Sequence, residues 1–115
     1  MKIKMESVKV AMSKQYSLLF LWSKGSTTRR KIFKIIAEEQ KKGNPVYISE
    51  ITTLYNTSIE PDSDDNTVTN SSIRKHIRVL KEYNLIRPIN EGGRPEYLEL
   101  TEEGKNILQK LMQAR

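Results

Sequence analysis

Ser71, Arg74, Lys75 and Arg78 are spaced to act together on a polyanion. At about 100° per residue they gather on one side of a helix, opposite Ile73, Ile77 and Leu80, which fall at i, i+4 and i+7. A helix built this way buries its apolar side and is held rigidly, while a face of basic and short polar residues fits the major groove of DNA. A hairpin pattern follows at once, with Leu85 to Ile89 and Glu96 to Leu100 as strands around Gly92 and Gly93 and with Arg94 at the tip. The two glycines allow the positive φ angles of a tight turn. An arginine at such a tip can reach a minor groove, where narrow A·T stretches carry a more negative potential. A third basic group, Arg29, Arg30 and Lys31, occupies the first turn of another predicted helix. Positive charge is unfavourable there by roughly 0.3 to 1 kcal/mol per residue. Either a phosphate held by these side chains and the free N–H groups of the helix end compensates, or solvent screens the charge.

Other chemistry is thinly represented. Glu60, Asp62, Asp64 and Asp65 are oxygen ligands in type, but PDSDDN lacks the spaced ligands, glycine and distal glutamate of a calcium loop. The single histidine, His76, lies beside the apolar stripe and is expected to be packed or half-exposed rather than a pH switch or metal ligand. Cysteine is absent, which excludes disulfides and thiolate metal sites. There is no glycine-rich phosphate cradle with a lysine, and His76 has no serine or carboxylate partner in sequence context. The expectation is a protein that is not an enzyme and uses no metal and no cofactor. Lys4, Lys9 and Lys14 precede an apolar run from Leu18 to Trp22. That run is shorter than the roughly 7 to 15 residues of a signal segment or the about 20 of a membrane span, so a cytoplasmic protein with no membrane partner is expected.

Charge is distributed in blocks. The chain carries 20 basic and 14 acidic side chains for a net +6, yet residues 44–72 hold five acids and no base, whereas 73–88 hold five bases and one acid. Alternating blocks favour a polyanion partner over a uniformly solvated surface.

These residues need elements to position them. At 115 residues the chain forms one domain, 1–115, and can bury somewhat over roughly 60% of its unfolded surface. Val8, Met12, Tyr16, Leu19 and Phe20 recur at helical spacing and predict an N-terminal helix over 7–23. A core over 26–100 begins after Gly25, with Ser26 as N-cap and a stripe of Ile32, Phe33 and Ile36 that stops at Gly43 before Pro45. Val46 to Ile48 is β-prone, and Ser49 is expected to cap a brief helix from Glu50 to Asn56 that buries Ile51 and Leu54. A polar loop covers 57–68. Thr69 then caps the basic helix, which should end near Tyr83 and Asn84 because Asn tolerates the left-handed C-terminal position. A C-terminal helix over 101–114 opens at Thr101 with Glu102 and Glu103, and Ile107, Leu108, Leu111 and Met112 form its apolar face. The fold class is mainly α with a small β-hairpin, an α+β fold.

This order of elements resembles the winged helix-turn-helix fold. IRKHIRVLKEYNLI, a hairpin and YLELTEEGKNIL are similar to the recognition helix, wing and final helix of the MarR, ArsR and PadR groups of prokaryotic transcriptional regulators. LLFLWSKGSTTRRKIFKII resembles the lead-in of archaeal members. The resemblance spans about residues 18 to 112 and is strongest from Ile73 to Leu108. It implies a double-stranded DNA-binding repressor or activator, usually a homodimer with one recognition helix per half-site. On this chain it implies base contacts from Asn70, Ser71, Arg74 and Lys75, and backbone contacts from Thr69, Arg78, Arg29, Arg30 and Lys31, with Arg94 on the wing. Met12, Tyr16, Leu19, Phe20, Trp22, Leu108, Leu111 and Met112 are expected at the dimer interface, because one small domain cannot cover both apolar faces. The alternative is that they close over the core of a monomer. A two-fold dimer would match a palindromic operator.

One departure stands out. A compact helix-turn-helix connection takes about 3 to 4 residues, whereas a far longer acidic segment separates Asn56 from Thr69. Phosphate would repel it, so it must point away or move. Two rival functions are carried alongside: a replication, partition or architectural protein that binds DNA with little sequence preference, and a winged helix used as a protein-interaction module.

Overall fold

The computed structural model describes residues 27–113, with side chains through residue 110. The helix expected over 7–23, with Met12, Tyr16, Leu19, Phe20 and Trp22, lies outside the described residues, as do Ser26 and the side chains of Leu111 and Met112. The described elements run α1 (Thr27–Lys41), α2 (Ile48–Thr57), α3 (Asn70–Glu82), β1 (Ile86–Pro88), β2 (Leu98–Leu100) and α4 (Glu102–Gln113). The architecture is mainly helical with one two-stranded antiparallel sheet, an α+β fold.

Local chemistry sets most helix ends. In α1 the Gly43 N–H donates to Gln40 O at 3.0 Å and the Asn44 N–H to Glu39 O at 2.8 Å, with Gly43 at φ 82°. α3 ends the same way, through Asn84 N–H to Lys81 O and Leu85 N–H to Leu80 O, with Asn84 at φ 59°. Both are the Schellman arrangement, in which a left-handed residue returns otherwise unpaired N–H groups to the last carbonyls. At the other end of α3 the Thr69 side chain accepts from the Ser72 N–H at 3.1 Å, the N-cap expected of it. Thr101 plays that part for α4, accepting from the Gly104 N–H at 2.9 Å while its hydroxyl donates to the Asn84 carbonyl.

α2 corrects the sequence reading. It begins at Ile48 rather than Glu50, and Tyr47 holds the N-cap position without a side-chain cap bond. The Ile51 N–H donates to Tyr47 O at 3.0 Å, so the first turn forms two residues early and takes Ser49 into the helix. The β-prone run therefore shrinks to Val46, which bridges Leu98 through a 2.9 Å bond from the Leu98 N–H. The strands are also shorter than expected, pairing Ile86 with Leu100, Arg87 with Glu99 and Pro88 with Leu98.

The apolar stripes of the described elements meet in one core. Ile32, Phe33 and Ile36 of α1, Ile51 and Tyr55 of α2, Ile73, Ile77 and Leu80 of α3, Ile86, Leu98 and Leu100 of the hairpin and Ile107 of α4 are all buried. Each large aliphatic or aromatic side chain so placed contributes about 1.5–3 kcal/mol. Tyr55, not Leu54, is the more deeply buried residue of α2. Its hydroxyl finds Thr28 Oγ1 at 3.3 Å, which satisfies the polar end of an otherwise apolar ring. Leu108, expected at a dimer interface, packs partly against this same core. Gly104 lets α4 lie directly on the chain after α3, since a Cβ there would stand 2.1 Å from Leu85 O. Among the described residues no helix is long and apolar enough to cross a membrane.

Candidate nucleic-acid interface

α3 is fixed by its buried stripe, and this determines what faces outward. Asn70, Ser71, Arg74, Lys75 and Arg78 are all exposed. Four ion pairs link described residues elsewhere, at Lys42–Glu39, Lys81–Glu96, Arg87–Glu99 and Lys105–Glu102. Arg74, Lys75 and Arg78 form none among the described residues. Asn70 is partly engaged: its amide donates to Ser49 Oγ at 3.4 Å, a long contact that joins the start of α3 to the first turn of α2. Ser49, expected as a cap, serves instead as this bridge.

The tertiary structure brings the hairpin to the same place. Arg74, Arg94, Gly93, Pro95, Glu96, Tyr47, Ile48 and Ser49 line one groove of about 280 Å³ between α3, the start of α2 and the hairpin. Two arginines that stand twenty positions apart in the chain therefore face one cleft. Arg94 is exposed at the tip and forms no ion pair among the described residues.

The tip is built differently from the sequence expectation. Only Gly92 takes a positive φ, at 78°. Gly93 is needed for room instead, because a Cβ would stand 2.2 Å from Asn90 Nδ2. Asn90 clamps the loop from inside: its amide donates to Pro95 O at 3.0 Å, its Oδ1 accepts from the Tyr97 N–H at 2.8 Å, and its backbone carbonyl accepts from the Gly93 N–H at 2.8 Å. Glu96 ties the tip to α3. One carboxylate oxygen accepts from the Lys81 ammonium and the other from the Gly92 N–H at 3.4 Å. The Lys81 bond above all, helped by that amide, holds the Glu96 carboxyl below the usual carboxylate range, against a smaller opposing effect of burial. At the hairpin base Tyr47 and Tyr97 meet edge to face with ring centroids 5.5 Å apart.

Arg29, Arg30 and Lys31, expected to contact the phosphate backbone, are all partly exposed on α1. Helical spacing fans consecutive residues around the axis, and each finds a different neighbour. The Lys31 ammonium lies 4.2 Å from the centroid of the Tyr55 ring, a cation–π contact. Arg30 Nη2 donates to Thr27 Oγ1 at 3.3 Å. Arg29 is half-buried near Tyr83 and His76. His76 is half-buried too, as its place beside the stripe predicts, and its pKa is lowered first by desolvation and then by the positive charge of Arg29.

The acidic loop is clipped shut. The Asn56 side chain donates to Val68 O at 3.0 Å and accepts from the Val68 N–H at 2.8 Å, so residues 57–67 form an excursion whose ends are pinned together. Glu60, Asp62, Asp64 and Asp65 all stay exposed on it. α2 and α3 consequently pack as neighbours despite the long connection, with Ile51, Tyr55, Ile73 and Ile77 in a shared core. Sequence reasoning missed Asn56, Asn90, Lys81 and Glu96. Asparagines beside turns are a recognisable cue for side-chain to backbone bonds, but nothing local pairs Lys81 with Glu96.

The class defined so far is an α+β chain whose small hairpin stands beside an exposed basic helix. Comparison adds one structural likeness. No family model matches the chain, and no curated protein matches it. The crystal structure of AF1382 from Archaeoglobus fulgidus is similar in fold, with a TM-score of 0.60 at 23% identity over 83% of this chain and 89% of that one.

Proposed function

We propose that this protein is a winged helix-turn-helix regulator of transcription that binds double-stranded DNA with sequence preference, with α2 and α3 as the helix-turn-helix pair and the β1–β2 hairpin as the wing. The observation that carries this reading is the convergence of Arg74 on α3 and Arg94 on the hairpin upon one groove, beside Lys75 and Arg78, with none of the four in an ion pair among the described residues. A protein surface that concentrates unpaired cations, with its one groove carboxylate, Glu96, engaged by Lys81, is matched by a dense line of phosphates. In the pose this reading adopts, Asn70, Ser71, Arg74 and Lys75 face base edges, Arg78 and Thr69 meet the backbone, and Arg94 follows the adjacent minor groove. The long acidic loop is compatible with it, because the Asn56 clamp takes the excursion out of the path between α2 and α3. The resemblance to the MarR, ArsR and PadR groups supports the same reading and extends it to a cytoplasmic homodimer on a palindromic site.

Selection from a random pool of duplexes, followed by binding of the recovered and scrambled sequences across a salt series, tests the proposal. A palindromic consensus should emerge. Arg74→Ala should cut the preference for it by about 5- to 150-fold, the range of one bidentate arginine–guanine contact. Arg78→Ala should weaken binding to both duplexes alike and lower the salt slope by about 1. Equal affinity for consensus and scrambled DNA replaces the regulator with an architectural DNA-binding protein. No binding at about 50 mM salt, where phosphate contacts are strongest, leaves the protein-interaction module.

A further inference from the structure

We infer that Glu96 is a positioning residue that locks the hairpin tip against the end of α3, so that Arg94 can contribute to DNA binding only while the Glu96–Lys81 pair is intact. The inference rests on the DNA-binding reading above and adds to it a residue that never touches the nucleic acid.

Three observations carry it. First, Glu96 has two separate partners on two separate elements: Lys81 in the last turn of α3, and the Gly92 N–H in the turn of the hairpin. One carboxylate therefore ties together the elements that carry Arg74 and Arg94. Second, the remaining tip bonds are internal. Asn90 holds Pro95, Tyr97 and Gly93, all within the loop itself, and shapes the tip without orienting it on α3. The strands cannot do this alone, since β1 and β2 pair over only three residues each and the tip extends beyond them. Third, Lys81 stands seven residues after Arg74 and three after Arg78, on the same side of the helix. Its charge is drawn into the Glu96 pair, while the exposed arginines before it form no such pair among the described residues.

The chemistry makes an unusual arrangement intelligible. A carboxylate beside a phosphate-binding groove repels its ligand, so Glu96 should weaken DNA binding if it acted through its charge. As a strut it does the reverse, because fixing a flexible arm before binding lowers the ordering cost that binding must overcome.

A double-mutant cycle with charge changes of opposite sign separates the two roles. Glu96→Gln removes a negative charge and one of the two acceptors, Lys81→Met removes a positive one, and each takes at least one bond from the strut. Each is combined with Arg94→Ala, and binding of the selected duplex is measured by fluorescence anisotropy. In the parent, Arg94→Ala should weaken binding about tenfold, as for a single phosphate or minor-groove contact. In the Glu96→Gln and Lys81→Met backgrounds alike, the further loss on removing Arg94 should fall below about threefold, a shared direction that opposite charge changes cannot produce electrostatically. Amide exchange at Gly92, measured without DNA, should quicken in both single variants.

An equal Arg94→Ala penalty in all three backgrounds overturns the inference, as does unaltered exchange at Gly92. So does an Arg94→Ala penalty absent from the parent. Failure of the parent to bind any duplex sinks the DNA reading and the proposed coupling with it, whereas a binding parent with uncoupled variants sinks only the coupling.

Discussion

Replacing Gly104 by alanine sets helix propensity against tertiary packing, and the two predict opposite signs. Gly104 lies in the first turn of α4, and exchanging glycine for alanine within a helix gains up to about 1 kcal/mol. The packing term is larger. The new Cβ would stand 2.1 Å from Leu85 O and 2.9 Å from Leu100 Cδ2, where ordinary contact begins at 3.4 Å. Relieving the first overlap alone requires the start of α4 to retreat by about 1.3 Å. It is tethered against that retreat, because the Thr101 N–H donates to the same Leu85 carbonyl at 3.1 Å and the Thr101 hydroxyl donates to Asn84 O. Thr101 is 7% exposed, so a bond broken there leaves a buried polar group unsatisfied, at a cost of about 1–3 kcal/mol. Overpacking adds a similar amount. With the propensity gain set against these terms, Gly104→Ala should lose at least about 1 kcal/mol, which lowers the melting temperature by roughly 4 °C or more in a domain of this size. Urea unfolding followed by far-ultraviolet circular dichroism measures it, with the m-value checked for constancy. A rise in the midpoint, or a change within about 0.5 kcal/mol, refutes the packing argument and leaves propensity as the winner.

Three further outcomes follow from the same structure. His76 has a folded pKa below its ordinary value of about 6.5. The unfolded chain thus takes up the proton first, and stability present above about pH 6.5 is lost as pH falls below it. His76→Gln should abolish that slope between about pH 7 and 5.5 in urea midpoints, a clean readout because the chain has one histidine and no cysteine. Asn56→Asp keeps the acceptor for the Val68 N–H but sets an oxygen against Val68 O. It should destabilise by about 1–3 kcal/mol, whereas Asn66→Asp, on the exposed excursion, should change the midpoint by under about 0.5 kcal/mol. Exchanging Glu60, Asp62, Asp64 and Asp65 for their amides should leave the melting temperature within about 2 °C and raise duplex affinity several-fold at about 50 mM salt. An affinity gain that persists undiminished at about 0.3 M salt would speak against simple charge repulsion.

What could be read along the chain and what could not divides by range. The faces of α3, its Thr69 cap, the left-handed Asn84 and the Thr101 start of α4 were all legible, because each depends on groups within about four residues and on sterics that no distant contact overrides. α2 shows the limit of this: Ser49 had the right chemistry for a cap, but the first turn closed on the Tyr47 carbonyl and Ser49 went to Asn70 instead. The basic run at 29–31 shows it too. Adjacency does not show what each cation meets across the fold: the packing of α1 on α2 and α3 gave Lys31 the Tyr55 ring and set Arg29 beside His76.

The residues of the candidate site were thus present in the sequence as types and as faces, and their convergence was not. Period and capping are properties of a single helix, determined by backbone geometry. Whether Arg94 meets Arg74 in one groove, whether Lys81 finds Glu96 and whether Asn56 closes the acidic loop on Val68 depend on how elements cross in space. Those crossings are settled by burying the apolar stripes of the described elements in one core at once, a condition that no local window contains.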